Sequence, residues 1–404
     1  MRNASVSFFI QICLTIQNYC DKMEKNQGGI ILIFLDNASG SRLYPEVIEV
    51  MTDVMTNHWA NASADYSFGH ESMQLIENVR EQIAKDSNCS PEEIIFTSGA
   101  CEANSLALLG TPDDIQTLWV SNLEHASIEK IHYHINYLIP NYNDGTIKID
   151  KFAEYLEDFY WHSRRSGFIV SVCAANGEIG TIQDLKVLSD ITHKYGGIFH
   201  TDATQLYAEQ KIDVKAQGID LMSVSAQKFH GPRGVGFLYV RNGIALEPLI
   251  YGSQENSMRG GTYNTAAIVG MGKALELTRA SNQTKYIRDL RDKLLYNLLA
   301  IPGSSYNGPA PDLNRLVNNI SLTVDGIDAD QLVAMCDEQG FMIARGAACQ
   351  AYNPVPSQTL LAIGLSERQA LSTVRITLDE FNTEEEIVQF SEIFTKIIER
   401  LRLF

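Results

Sequence analysis

The strongest constraint on the fold is an alternation that runs for some 200 residues. Short apolar runs stop abruptly at small or polar residues, and helical patterns separate many of them: Ile94-Ile95-Phe96-Thr97, Thr117 to Ser121, Phe168 to Cys173, Ile198 to His200, Leu221 to Ser225 and Val235 to Val240. Strands alternating with helices predict a mostly parallel sheet whose sites lie outside the carboxyl ends of the strands. Those ends carry Ser98-Gly99-Ala100-Cys101, Glu124-His125, Asn176, Asp202 and, past Ser225, Lys228 before a Gly231-Pro232 turn.

Lysine is normally a solvated surface charge. At the end of a buried strand it must lose its charge, pair it or be consumed in a covalent bond. By itself Lys228 reads as an ordinary turn lysine, but Asp202 at a neighbouring strand end changes the reading. A Schiff-base lysine and an aspartate for a pyridinium nitrogen are the two parts that a pyridoxal 5'-phosphate site requires. The loop Ser98-Gly99-Ala100-Cys101 joins a strand to a helix N-terminus, where free N–H groups and the positive dipole end suit a phosphate.

With 404 residues, 45% hydrophobic and 20% charged, the chain has enough apolar material for two domains of a soluble globular protein. Its net charge of −17 and the lack of any basic run argue against a nucleic-acid partner. Seven cysteines, an odd number without metal-ligand spacing, predict no metal site and a reduced, cytoplasmic setting. The apolar stretch Ser7 to Ile16 is too short to span a bilayer and reads as part of a poorly ordered N-terminal extension, residues 1–28. Beyond a glycine-rich loop, Leu246 to Asn264, the pattern predicts one long helix from Ala267 to Ala300. A strand at Asn319 to Val324, a helix at Asp328 to Gln339, a strand at Thr373 to Leu378 and a final helix follow. The final helix carries the apolar stripe Ile387, Phe390, Phe394, Ile397 and Leu401, which reads as core.

From about Leu35 to the C-terminus the chain resembles the cysteine desulfurases of the class V aminotransferase superfamily, in the first group with the longer catalytic loop. The resemblance rests on ordered blocks: Phe96-Thr97-Ser98-Gly99-Ala100, Glu124-His125, Asn176-Gly177-Glu178-Ile179-Gly180, His200 to Gln205, Lys228, Arg259-Gly260-Gly261-Thr262, Arg345 to Cys349 and Val374-Arg375. It implies an α/β fold type I pyridoxal-phosphate enzyme with a large seven-stranded, mostly parallel sheet and a smaller α+β domain. Residues 45–275 would bind the cofactor, and 29–44 plus 276–404 would carry the cysteine loop. It also implies a homodimer that degrades L-cysteine and passes sulfur to an acceptor protein in iron–sulfur or thiolation pathways.

By the same resemblance Lys228 holds the cofactor and serves as base, His125 stacks on its ring, Asp202 protonates the pyridine nitrogen, and Gln205 meets the phenolic oxygen. Ala100, Cys101, Ser225, Gln227 and Thr262, the last from a partner subunit, would bind the phosphate. Asn176 and Arg375 would hold the substrate carboxylate, for which a guanidinium fork is well shaped. Cys349, in a small glycine-containing loop, would be the nucleophile, with Arg345 as a source of thiolate stabilisation.

Three positions depart from the family pattern: Cys101 for threonine, Gln227 for histidine and Tyr66 for histidine. They predict retained but weaker phosphate binding. Asp379-Glu380 makes the entrance more acidic than the usual Gly-Arg. A selenocysteine lyase or another class V enzyme would share the cofactor site, and a non-catalytic paralogue acting as a binding partner would not need it.

Overall fold

The computed structural model describes residues 32–131, 135–139, 141–162, 167–346 and 355–403. β1 (Ile33–Phe34) comes first, followed by the helices Pro45–Asn57 and Ser67–Ser87. Then β2 (Ile94–Thr97), β3 (Ile115–Ser121), β4 (Ile135–Ile139), β5 (Gly167–Ser171), β6 (Ile198–Asp202), β7 (Leu221–Ser225) and β8 (Gly236–Val240) build a seven-stranded sheet. Its order is β2-β8-β7-β6-β5-β3-β4, and only β8 runs antiparallel to its neighbours. The other six carboxyl ends therefore share one edge, as the alternation predicts.

Both faces of this sheet are covered, which is why its strands read as continuous apolar runs. Successive side chains point to opposite faces. Met222 and Phe237 enter a cluster with Val47, Ile76, Phe152 and Phe199, while Leu221 and Leu238 enter another with Leu106, Leu118 and Ile169.

The remaining strands are β9 (Ser304–Tyr306), β10 (Asn319–Val324), β11 (Phe341–Met342), β12 (Ala344–Arg345) and β13 (Thr373–Thr377). They form an antiparallel sheet of order β12-β13-β10-β9, and β11 pairs in parallel with β1. The helix Glu384–Leu401 starts with a capping box between Thr383 and Glu386 and lays Ile387, Phe390, Phe394 and Ile397 into this unit's core, with Leu401 at its margin. A small cluster of Leu123, Cys173, Ile179, Leu360, Ile363 and Ala370 joins the loops at the large sheet's edge to the short helices Gln358–Ala362 and Glu367–Leu371.

The expected long helix is two, Thr265–Ala280 and Thr284–Leu299. Ser281 is extended (φ −63°, ψ 129°) and its hydroxyl donates to Glu380, while Arg279 is held by Asp86 at 3.0 Å. These tertiary bonds stabilise a break among polar residues of modest helix preference. Ser90 to Glu93 is a single 3₁₀ turn with its own capping box. No helix among the described residues is long and apolar enough to cross a membrane.

Candidate active site

β6 delivers Asp202 to the shared edge, buried, with Oδ1 accepting from the Thr204 N–H at 3.0 Å and Oδ2 from Asn104 Nδ2 at 2.8 Å. Asn104 also donates to Ser127 Oγ at 3.0 Å, and that hydroxyl lies 2.8 Å from His125 Nδ1. A polar chain thus joins Asp202 to His125, whose ring is exposed beyond the end of β3. Asn104 was not singled out from sequence. Its signal is a lone amide on a helix face otherwise made of buried Ala103, Leu106 and Ala107. Two residues deeper, His200 sits between Ser171 Oγ at 2.8 Å and Ser223 Oγ at 3.0 Å. Burial holds its pKa down to about 4 against the pull of Asp202.

Lys228 follows β7 in a 3₁₀ turn, and its ammonium donates to the carbonyls of Ala38 at 2.6 Å and Ser39 at 2.9 Å. Gln205 Nε2 donates to the same Ala38 oxygen at 3.0 Å. A Cβ on Gly177 would lie 2.7 Å from Gln205 Nε2, so the turn after β5 packs directly on that amide. Asn176 builds the turn: Oδ1 accepts from the N–H groups of Glu178 at 2.9 Å and Ile179 at 3.0 Å, and Nδ2 donates to Leu123 O at 2.9 Å.

Arg375 reaches the same place from β13. Its Nη2 donates to Asp36 Oδ1 at 2.7 Å, its Nη1 lies 3.5 Å from Gly177 O, and its buried Nε has no acceptor among the described residues. Lys228, Gln205, Asn176 and Arg375 therefore gather around the Asp36–Ser39 loop and Gly177. Asp36, the Arg375 counter-ion, was also missed; its signal is an acid directly after the apolar run ending at Leu35. A cavity of about 110 Å³ opens beside Lys228, and Gln205, Tyr44, Asp379 and Glu380 are among its walls.

The residues expected to receive the phosphate lie at the start of the helix Ala100–Leu109 and around it. Gly99 (φ 143°) starts the helix Ala100–Leu109 in a backbone conformation that a Cβ disfavours. The first-turn N–H groups of Ala100, Cys101 and Glu102 have no backbone acceptor among the described residues. Ser225 Oγ is 3.5 Å from where a Gly99 Cβ would sit, and the Gln227 amide side chain makes no hydrogen bond among the described residues. Glu102 Oε2 takes the Ser98 N–H at 2.8 Å, and Arg259 pairs with Oε1 at 2.8 Å. Burial opposes ionisation of Glu102, but Arg259 and Ser98 outweigh it and hold its pKa below the usual value. Cys101 and Thr262 are exposed, the latter just beyond Arg259 on the loop that follows β8. Open N–H groups at a helix start, a buried aspartate and a strand-end lysine fit a phosphorylated pyridine aldehyde.

Cys349 lies outside the described residues, as do Cys13 and Cys20. Arg345 pairs with Asp330 at 3.0 Å. Burial raises the thiols of Cys89, Cys173 and Cys336, with Cys336 pushed up to about 12, which makes them poor nucleophiles. Glu124 is fully buried, accepting from Ser121 Oγ at 2.5 Å and the Cys173 N–H at 2.9 Å, and burial nevertheless lifts it to about 8.

Residues 33–390 match the class-V aminotransferase family. The cysteine desulfurase IscS of Dictyoglomus turgidum is 35% identical over 385 residues, covering 92% of this chain and 95% of that protein. Among solved structures, a NifS-like protein from Rickettsia africae superimposes with a TM-score of 0.82 at 29% identity, covering 91% of this chain and 99% of that one. SspA in complex with cysteine superimposes with a TM-score of 0.73 at 31% identity, covering 87% and 99%. A family match across most of the chain, a relative aligned along nearly its whole length and a shared fold make this chain a member of the cysteine desulfurases within the class-V aminotransferases.

Proposed function

We propose that the protein is a pyridoxal-phosphate-dependent L-cysteine desulfurase: L-cysteine and the Cys349 thiol give L-alanine and a Cys349 persulfide. The substrate C–S bond breaks, an S–S bond forms, and Cβ takes up a proton, so atoms and electrons balance without another reactant. The observation that carries this reading is the gathering of Lys228, Gln205 and Arg375 around the Asp36–Ser39 loop, with the Asn176 turn packed against Gln205 through Gly177 and Asp202 on the neighbouring strand end.

Bound pyridoxal phosphate supplies an electron sink conjugated to the substrate Cα. Asp202, buried and oriented by Asn104, keeps a proton on the pyridine nitrogen. Lys228 Nζ anchors the cofactor, then removes and returns the Cα proton. Gln205 donates to the phenolic oxygen, and His125, oriented through Ser127, covers the ring. The helix start at Ala100 and Cys101, with Ser225, Gln227 and Thr262 of the partner subunit, receives the phosphate. Arg375 binds the substrate carboxylate, Asp36 fixing one edge of its guanidinium, with Asn176 shaping that wall.

The same reading assigns residues 45–275 to cofactor binding and 29–44 plus 276–404 to the unit that carries Cys349, in a cytoplasmic homodimer that hands sulfur to an acceptor protein. The test is Cys349→Ala. It is expected to keep the cofactor absorbance and lose alanine and sulfide formation from L-cysteine; wild-type turnover by this variant would remove Cys349 from the reaction.

A further inference from the structure

Residues 347–354, which include Cys349, lie between two described stems, one ending at Gly346 and the other leading through Ser357 into the helix Gln358–Ala362. Both stems meet one side chain. Ser357 Oγ donates to Glu178 Oε2 at 2.6 Å. Gly346 backs so closely onto the other oxygen that a Cβ there would lie 2.1 Å from Glu178 Oε1 and 3.1 Å from its Cδ. Oε1 has no hydrogen-bond partner among the described residues, and the residue is buried.

Neither end of this arrangement is free to drift. Ser357 caps its helix by accepting from the Leu360 N–H at 3.4 Å, and Leu360 packs with Leu123, Cys173 and Ile179. On the other side the Glu178 N–H is bound to Asn176 Oδ1 at 2.9 Å, in the turn whose Gly177 carbonyl faces Arg375. A buried carboxyl is expensive unless it is partnered, so its placement here, with Oε2 bonded to one stem at Ser357 and Oε1 packed against the other at Gly346, calls for a role that an apolar residue could not fill.

We propose that Glu178 is a positioning residue that fastens both stems of the Cys349 segment to the Asn176 turn, and so sets where the thiol meets the substrate sulfur. It touches neither substrate nor cofactor. The identity of that thiol rests on the desulfurase reading above. Misplacing a reacting group by about 1 Å costs on the order of 100-fold in rate, which sets the expected size of the effect.

The test compares wild type with Glu178→Ala, Glu178→Gln and Ser357→Ala, each loaded with pyridoxal phosphate and mixed rapidly with L-cysteine. Two signals are followed: the absorbance change when substrate reaches the cofactor, and the persulfide on Cys349, trapped by alkylation and weighed by mass spectrometry. Glu178→Ala should leave the absorbance change and its dependence on L-cysteine intact while slowing persulfide formation by about 100-fold. Ser357→Ala should do the same more weakly, and Glu178→Gln, which keeps an acceptor for Ser357, should recover part of the loss. Amide hydrogen exchange over 358–362 should speed up in Glu178→Ala.

Persulfide formation at the wild-type rate in Glu178→Ala would overturn the proposal, as would an equal loss of both signals. If wild type itself formed no persulfide, the desulfurase reading would fail separately. The exchange comparison would then decide the stem role, and unchanged protection over 358–362 would reject it.

Discussion

Replacing Arg80 probes how the loop that carries Arg259 and Thr262 is fastened beside the helix Ala100–Leu109. Arg80, on the helix Ser67–Ser87, donates from Nη1 to Glu255 Oε2 at 2.9 Å and to Ile94 O at 2.5 Å, and from Nη2 to Glu255 Oε1 at 2.8 Å. Glu255 also accepts the Phe96 N–H at 2.7 Å, and its side chain is 1% exposed. Arg80→Met strands a buried carboxylate on a single N–H, and breaking such a pair costs about 3–5 kcal/mol. Glu255→Leu strands the guanidinium, with Glu77 at 3.1 Å as its remaining counter-ion, for a similar loss.

The double variant removes both charges and leaves mainly the Phe96 N–H unsatisfied, for about 1–3 kcal/mol. Urea unfolding of the four proteins should therefore give a coupling energy of at least about 3 kcal/mol, with m unchanged. A loss below about 1 kcal/mol in Arg80→Met, or additive singles, would refute the claim that this ion pair holds the loop to β2.

Further outcomes follow from the same geometry. Cys101→Thr returns a hydroxyl to the helix start and should tighten pyridoxal phosphate by about 1.5 kcal/mol or more, read by equilibrium dialysis; unchanged affinity would take residue 101 out of the phosphate cup. Burial raises Glu124 from 4.5 to about 8, so across that window the unfolded chain releases its proton while the folded chain keeps it, and stability falls as pH rises. Glu124→Gln should flatten that slope and gain on wild type toward the upper end, whereas parallel stability–pH curves would show that Glu124 ionises normally. Lys228→Ala should lose the visible absorbance of the cofactor-loaded protein and the mass increment trapped by borohydride; if both persist, another amine holds the cofactor.

The large sheet was legible because strands buried on both faces leave an unmistakable apolar run, and the alternation placed His125, Asn176, Asp202 and Lys228 at one edge. Partners fixed by tertiary approach were not legible. Asn104 looks like any helical amide until Asp202 stands 2.8 Å away, and Asp36 meets Arg375 across 339 positions of chain. Glu178 lay within a recognised block, but its role depends on Ser357, and sequence spacing carries no trace of that bond. The break at Ser281 was hidden for the same reason, since Glu380 and Asp86 stabilise it from a distance. Conversely, Asn176 was legible as a strand-end residue, while its amide is spent largely on building its own turn.

The most direct test of the central claim is to incubate the protein, purified with added pyridoxal phosphate, with L-cysteine and a thiol reductant, and to quantify L-alanine and sulfide together. The account predicts both products in equal amounts, abolished by Cys349→Ala. Cofactor absorbance with no alanine from L-cysteine would contradict it and direct the search to another substrate of the same family.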